Sequence, residues 1–224
     1  MSARGESESA RESLEQLCSV YWYPLYIYVR RQGFDPAEAE DLTQGFFEHL
    51  FRRDRLHQAD ASKGRFRTFL LGSLQNFLND YRDHCGRVKR GGGQTIISWE
   101  AQDAESRYLL EQADEVTPEV LFDRRWAVIT LGRVRERVRA EFDAGGKGSI
   151  YSMLAAHADG PELTYEEIAR RLAMSEAAVK SAAHRLRQRL REVLWEEVAD
   201  TVASPKEMEL ELRILVELAA AEGL

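Results

Sequence analysis

The sequence predicts an all-α protein, with two helical domains joined by an acidic linker and a helix-turn-helix in the second domain. Three observations support this fold class. Apolar residues recur at helical spacing along most of the 224 residues, and few segments alternate as strands do. Residues that start and end helices flank these segments. The run Lys89–Gly93 and the charged stretch after it predict the boundary between the domains.

The first domain is predicted over 8–90. An aromatic-rich helical region at 8–31 opens it, with Pro24 as a candidate kink and Gly33 at its end. Asp35 is the predicted N-cap of a helix at 36–53, because proline follows at the first helical position and Glu38 completes a capping box. A polar loop at 54–64 leads to a third helix at 65–85. The predicted apolar faces of these two helices are Ala39, Leu42, Phe46 and Leu50, then Phe66, Leu70, Leu74, Phe77, Leu78 and Tyr81.

The second domain is predicted over 119–203, after an acidic linker at 91–118 that has room for a short helix. A long helix at about 119–143 begins after Pro118, and a shorter helix follows at 149–158. Ser204-Pro205 then separates a C-terminal amphipathic helix at 204–224. The apolar residues of this last helix are Met208, Leu212, Leu215 and Leu218.

Residues 164–191 form the predicted helix-turn-helix. Thr164 caps the first helix with Glu167 as its capping-box partner, and Ser175 caps the second helix after the break at Ala173–Ser175. The predicted inward faces are Ile168, Ala169 and Leu172, then Val179, Ala183, Leu186 and Leu190. The other face of the second helix is cationic, and the major groove of DNA accepts such a helix. A solvated helical hairpin within a bundle is the alternative interpretation.

Charge is distributed unevenly along the chain. The net charge of −7 argues against a protein coated in nucleic acid. However, 164–191 has a net charge of +4 and 52–90 a net charge of +6, whereas 98–123 and 192–224 each have −7. Local fields decide where phosphates bind, so the two basic segments are the candidate DNA surfaces. The two acidic segments either mask these surfaces or, in the case of the tail, bury apolar residues for stability.

No metal, cofactor or catalytic site is expected. Cys18 and Cys85 lie far apart, without a CxxC pair, and His84 next to Cys85 has no matching half of a metal site. Glu38, Asp41 and the histidines fit no metal-hydrolase spacing, so we expect no enzyme. The N-terminus has no apolar signal segment and no run is long enough to cross a membrane. A cytoplasmic protein without membrane insertion is therefore expected.

Three motifs, in order, resemble those of extracytoplasmic-function (ECF) sigma factors of the sigma-70 family. Glu40–Phe47 resembles their region 2.2, and Phe66–Leu70 with Asn76–Arg82 resembles regions 2.3 and 2.4. Residues 164–191 resemble region 4.2, although the family often has a basic residue at the position of Ala182. The resemblance covers about 12–90 and 119–195. Further marks resemble a subgroup with an acidic C-terminal extension, namely Lys89–Gly93, Asp123–Trp126 and Glu196–Val202.

The resemblance implies a sigma factor, which binds core RNA polymerase and directs promoter recognition and DNA melting. It implies that 8–90 binds core polymerase and the −10 element and that 119–203 binds the −35 element. Implied partners are core polymerase, double-stranded promoter DNA and single-stranded −10 DNA, with an anti-sigma factor or a kinase as further candidates. The alternative is a stand-alone helix-turn-helix regulator without initiation activity, which has no need of a polymerase-docking helix at 36–53.

Candidate site residues fall into three sets. The core-polymerase set is Asp41, Gln44 and Glu48. The −10 and melting set, chosen because rings and guanidinium groups stack on bases and pair with phosphates, is Arg65, Arg67, Phe69, Asn76, Asp80, Tyr81 and Arg82. The −35 set is Lys180, Ser181, His184, Arg185, Arg187 and Arg191. Within it, Arg185 is best suited to a guanine edge, while Arg187 and Arg191 are expected at phosphates.

Overall fold

The computed structural model describes residues 18–52, 65–85, 104–108, 116–160, 163–199, 201–202 and 204–221. Within these ranges there is no strand, so the all-α prediction is confirmed. The helices are α1 (18–31), α2 (Pro36–Arg52), α3 (Phe66–Cys85), α4 (104–108), α5 (Pro118–Ala144), α6 (Gly148–Asp159), α7 (Tyr165–Arg171), α8 (Glu176–Ala199) and α9 (Pro205–Ala221). The predicted loop at 54–64 and the run Lys89–Gly93 lie outside the described residues.

Helix ends form where the capping residues predict them. The side chain of Asp35 accepts a hydrogen bond from the Glu38 amide at 2.9 Å, and α2 begins at Pro36. Gly33 follows α1 with φ of +91°, a left-handed conformation that glycine adopts without steric cost. Observed and predicted bounds differ by one residue at most for α2, α3, α5 and α6, because capping chemistry fixes where a helix can begin or end.

The described residues fall into two compact units. The first is assigned from Met1–Trp126 with Thr201–Glu207, and the second from Ala127–Asp200 with Met208–Leu224. Helix α5 therefore begins in the first unit and ends in the second. The functional domain boundaries at 90, 118 and 203 stay predictions.

The core of the first unit is apolar and aromatic. The four predicted inward residues of α2 are all buried, as are Leu70, Leu74 and Leu78 of α3. Phe46 meets Phe77 edge to face, with ring centroids 5.8 Å apart, and thereby joins α2 to α3. Each fully buried side chain of this size contributes about 1.5–3 kcal/mol through the hydrophobic effect.

Part of the predicted linker is a helix that contacts α1. Glu105 of α4 accepts hydrogen bonds from Tyr26 Oη at 2.6 Å and from Arg30 Nε and Nη2 at 2.9 and 2.7 Å. The Arg30 guanidinium also lies 4.6 Å from the centroid of the buried Tyr108 ring. Burial alone raises the pKa of Glu105, but the hydrogen bonds from Arg30 and Tyr26 outweigh it and hold this pKa below its usual range. The linker segment is thus fastened to α1 by a partly buried ion pair.

The second unit is built around α8. Helices α6 and α7 pack on α8, and Ile168, Val179 and Leu186 lie in one buried cluster with Val134 and Leu154. His157 of α6 lies 4.4 Å from the Tyr165 ring, measured between centroids, and its Nδ1 is hydrogen-bonded to the Leu163 carbonyl. Because one face of α8 is buried in this cluster, only the residues on its other face reach solvent.

The C-terminal helix α9 has one buried face. Met208 and Leu215 are buried as predicted, while Leu212 and Leu218 are half-buried. Glu211 is also buried on this face, which the apolar pattern did not predict. This burial favours the stabilising role for the tail helix over the masking role. None of the described helices combines the length and the apolar content that a membrane span requires.

Candidate nucleic-acid interface

The helix-turn-helix forms because both helices begin at side-chain caps. Thr164 Oγ1 accepts a hydrogen bond from the Glu167 amide at 3.2 Å, and Ser175 Oγ accepts one from the Ala178 amide at 3.2 Å. Between the helices, Ala173 has φ of 51°, and the Met174 amide donates to the Ala169 carbonyl at 2.9 Å. This bond closes the last turn of α7. The left-handed conformation of Ala173 is one that glycine usually adopts at the end of a helix. The predicted N-caps and break are confirmed, but the Glu167 carboxylate pairs with Arg170 and Arg171 and does not complete the predicted capping box.

The buried stripe of α8 fixes its outward face. Val179, Ala182, Ala183, Leu186 and Val193 are buried, and Leu190 is half-buried. Ala182 is only 4% exposed, so a basic residue here would replace a core contact. The departure from the family pattern at this position therefore leaves the outward face of α8 unchanged.

All six predicted −35 residues are exposed on α8. The charged residues among them differ in whether they have a carboxylate partner. Lys180 Nζ lies 2.6 Å from Glu176 Oε1, and this hydrogen bond raises the Lys180 pKa. Among the described residues, no carboxylate is within ion-pair distance of Arg185, Arg187 or Arg191. These three arginines are consequently available to an external anion.

The arginines of α7 are engaged within their own helix. Arg171 Nε lies 2.8 Å from Glu167 Oε1, and Arg170 pairs with the other oxygen of the same carboxylate. The hydrogen bond from Arg171 is the main reason why the Glu167 pKa is below its usual range. Helix α7 therefore adds less positive potential to the interface than its two arginines suggest.

Arg189 was not among the predicted site residues, and the structure gives it a different role. Its Nε and Nη2 bind both oxygens of Glu141 of α5, at 2.7 and 2.9 Å. Glu192 and Glu196 lie at 3.2 and 3.5 Å from its Nη1. The bond to Glu141 raises the Arg189 pKa and lowers that of Glu141. Arg189 thus fastens α8 to α5 through the fork geometry that arginine offers to carboxylates.

The pairing of Arg189 with Glu141 could have been predicted from the sequence. It lies three residues after Leu186 and four before Val193, at the edge of the buried stripe. Glu141 likewise lies three residues after the buried Val138 of α5. Because packed helices lie about 8–10 Å apart, opposite charges that border the buried faces of two such helices are close enough to pair.

The predicted core-polymerase residues lie together on α2. Asp41, Gln44 and Glu48 are exposed and follow one another at helical spacing of three and four residues, so they share one face. Thr43 between them is fully buried, and its Oγ1 donates to the Ala39 carbonyl at 2.7 Å. In this conformation the Thr43 hydroxyl is inaccessible to a kinase.

The predicted melting residues lie at two ends of α3. The first group is Arg65, Arg67 and Phe69, and the second is Asn76, Asp80, Tyr81 and Arg82. Between Arg67 and Asp80 the helix rises by about 20 Å. The structure therefore does not bring these seven residues together into one patch.

Arg67 lies inside the first unit rather than on its surface. Its side chain is 4% exposed and forms a salt bridge to Asp123 of α5. Its guanidinium lies 4.8 Å from the centroid of the Trp126 ring. Arg65 and Phe69 are half-buried, and Phe69 lies 6.1 Å from Phe66 between ring centroids. Asp123 and Trp126, which the sequence marks as a subgroup feature, thus act as partners of Arg67.

The far end of α3 is more open. Asn76, Asp80 and Arg82 are exposed. Tyr81 is half-buried, and its hydroxyl donates to Glu38 Oε1 at 3.0 Å. The Arg82 guanidinium lies 5.2 Å from the Phe34 centroid, and its Nη2 donates a hydrogen bond to Gln32 Oε1 at 3.2 Å.

No three His, Cys, Asp or Glu residues cluster so as to hold a metal ion within the part of the chain that the structure describes. Within each unit, the described ion pairs join arginine or lysine to carboxylates. The chemistry that these surfaces offer is ion pairing, hydrogen bonding and stacking.

Comparison with known families matches residues 161–190 to Sigma-70, region 4. Region 4 is a DNA-binding, non-enzymatic helix-turn-helix domain, and the match spans α7 and the first part of α8. The match supports a relation to the sigma-70 family for this segment. No curated protein and no solved structure matches the chain.

Proposed function

We propose that this chain is an ECF-type sigma factor, with an acidic C-terminal extension, that acts in the cytoplasm and directs core RNA polymerase to promoters. The observation that most supports the proposal is the exposed face of α8, which belongs to a capped helix-turn-helix that overlaps the match to region 4. Its three exposed arginines, Arg185, Arg187 and Arg191, have no ion-pair partner among the described residues. A helix of this kind enters the major groove with its N-terminal half toward the bases.

Contacts to the −35 element are proposed from residue chemistry. Arg185 is assigned to a base edge, because its fork can bond both acceptors of guanine. Lys180, Ser181 and His184 lie nearer the start of α8 and are assigned beside it. Arg187 and Arg191 are assigned to phosphates, which fix the register of the helix but carry little sequence information.

Core polymerase is proposed to bind the exposed face of α2. Asp41, Gln44 and Glu48 offer two carboxylates and an amide on one ridge, over a buried apolar side. Such a ridge suits a basic protein surface, since charge complementarity increases the rate and specificity of association.

Single-stranded −10 DNA is proposed to bind α3. Asn76, Asp80 and Arg82 are exposed, with Tyr81 partly so, and Arg65 and Phe69 lie at the other end of the helix. A guanidinium and an aromatic ring provide counter-charge and stacking for unpaired bases. Arg67 belongs to this surface only if it leaves Asp123.

A stand-alone DNA-binding regulator is the second candidate, because the family match is confined to the helix-turn-helix. The α2 ridge discriminates the two functions, since a regulator does not require it.

A pull-down with purified bacterial core RNA polymerase tests the proposal. The wild type is expected to bind, and the Asp41→Arg/Gln44→Ala variant is expected to lose binding. Glu136→Arg is the matched control, because it changes the charge equally at an exposed position on α5. Absence of wild-type binding, together with retained binding to duplex DNA, would favour the stand-alone regulator.

A further inference from the structure

The first turn of α3 is closed by residues that are distant in sequence. Helix α3 has no acidic residue in its first turn, and the Phe66 amide donates instead to the Thr201 carbonyl at 3.0 Å. Thr201–Glu207, which includes the first turn of α9, is grouped with the first unit, whereas α8 and the rest of α9 are grouped with the second. A backbone segment 135 positions later in the chain thus caps this helix.

Arg67 is closed in by a second contact next to that cap. Its charge is matched by Asp123, and its guanidinium lies over Trp126, which is 2% exposed. Asp123 itself remains 34% exposed. The ion pair is therefore buried on the arginine side and open to water on the aspartate side, so an external anion reaches Arg67 only when the pair opens.

We propose that Asp123, Trp126 and Thr201 form an autoinhibitory latch that keeps Arg67 away from single-stranded DNA. The inference rests on the proposed function, in which α3 binds the unpaired −10 strand. In the closed state Asp123 occupies the guanidinium that would otherwise bind a phosphate. A DNA phosphate competes with Asp123, because both are anions that accept hydrogen bonds from the same fork. Opening then frees Arg67 and separates the Phe66 amide from the Thr201 carbonyl.

Fluorescence anisotropy with a short thymine-rich single-stranded oligonucleotide tests the latch. Asp123→Asn removes the competing charge and retains the size of the side chain. We expect it to tighten DNA binding about tenfold, the change expected if about one molecule in ten is open in the wild type. Arg67→Ala/Asp123→Asn is expected to bind no more tightly than the wild type.

Glu136→Gln provides the matched control. It removes one negative charge from the same helix, at an exposed position 13 residues after Asp123. Equal tightening by Asp123→Asn and Glu136→Gln would overturn the latch, since the net charge alone would then explain the gain. The latch is also contradicted if the gain persists without Arg67.

Hydrogen exchange of the Phe66 amide tests the same inference without any substitution. In the free protein this amide is expected to be protected, and saturation with the oligonucleotide is expected to reduce its protection. Undiminished protection in the saturated complex would contradict the latch. Core polymerase binding by the same preparations separates the two proposals: an intact pull-down with no effect at Asp123 rejects the latch alone, whereas a failed pull-down rejects the sigma function.

Discussion

Two helical regions of this molecule have similar sequence patterns, but the arginines of one are exposed and an arginine of the other is buried. The outward face of α8 and the first turn of α3 both place arginines beside apolar residues at helical spacing. On α8, Arg185, Arg187 and Arg191 are exposed, whereas on α3 Arg67 is buried against Asp123 and Trp126. Abundance of positive charge in a segment therefore does not tell whether that charge can reach DNA.

The position of each arginine relative to the apolar stripe explains the difference. Arg67 lies three residues before Leu70 and seven before Leu74, so it falls on the stripe that is buried in α3. Arg185 and Arg191 lie off the buried stripe of α8. An arginine in phase with a core stripe must find an acidic partner inside, because an unpaired buried charge is strongly destabilising.

The largest effect is expected when the buried arginine is removed. Arg67→Ala removes a buried side chain that pairs with Asp123 and lies over Trp126, and the cavity that remains should lower the free energy of unfolding by about 3 kcal/mol. Arg185→Ala, at an exposed position, should change it by less than about 0.5 kcal/mol. Urea unfolding of both variants measures this. Similar stabilities would break the comparison between the two arginines.

Substitution of the exposed arginines should instead change the affinity for duplex DNA. Arg185→Ala is expected to weaken binding to the preferred duplex by about 1–3 kcal/mol and to relax the preference at one base position. Arg187→Ala should weaken binding on all sequences and reduce the salt slope by about one. Anisotropy titrations on preferred and scrambled duplexes at several salt concentrations distinguish these results. A uniform loss for Arg185→Ala would reassign that residue to a phosphate.

The Glu105 ion pair extends the comparison to a second arginine, Arg30, which is partly buried. Glu105→Gln should lower the free energy of unfolding by about 1–2 kcal/mol near pH 7, because Arg30 loses a charged acceptor. The Glu105 pKa is lower in the folded protein than the unfolded value of about 4.3, so this stabilisation is present above that pH. It is lost as the pH falls through the folded pKa. Thermal unfolding of both proteins from pH 7 to pH 3 should show their difference shrink, and a constant difference would argue against the ion pair.

The smallest effect is expected for the exposed counterpart on α8. Arg189 and Glu141 are 30% and 38% exposed, so water and salt screen their attraction. Glu141→Gln should therefore cost only about 0.5 kcal/mol, less than Glu105→Gln. Unfolding measured at low and high salt should show this cost disappear at high salt. A loss as large as that of Glu105→Gln would mean that exposure does not decide the strength of these pairs.

Local chemistry predicted the helices well and the side-chain partners poorly. Asp35, Thr164 and Ser175 cap the helices as predicted, because a cap needs only residues within one turn. By contrast, Arg67 meets Asp123 across 56 positions, and the Phe66 amide is capped from Thr201. Helical periodicity does not encode such contacts. The exposed faces of α2 and α8 could be predicted, whereas the closure of the first turn of α3 could not.

Run-off transcription with core RNA polymerase tests the central claim most directly. A duplex selected by the wild-type protein from a random library would serve as template, with Arg185→Ala, Asp41→Arg/Gln44→Ala and Glu136→Arg compared alongside the wild type. The proposed function predicts a discrete transcript with the wild type and Glu136→Arg, a reduced amount of it with Arg185→Ala, and none with Asp41→Arg/Gln44→Ala. Tight binding of the duplex without any transcript from the wild type would contradict the sigma function and leave a DNA-binding regulator.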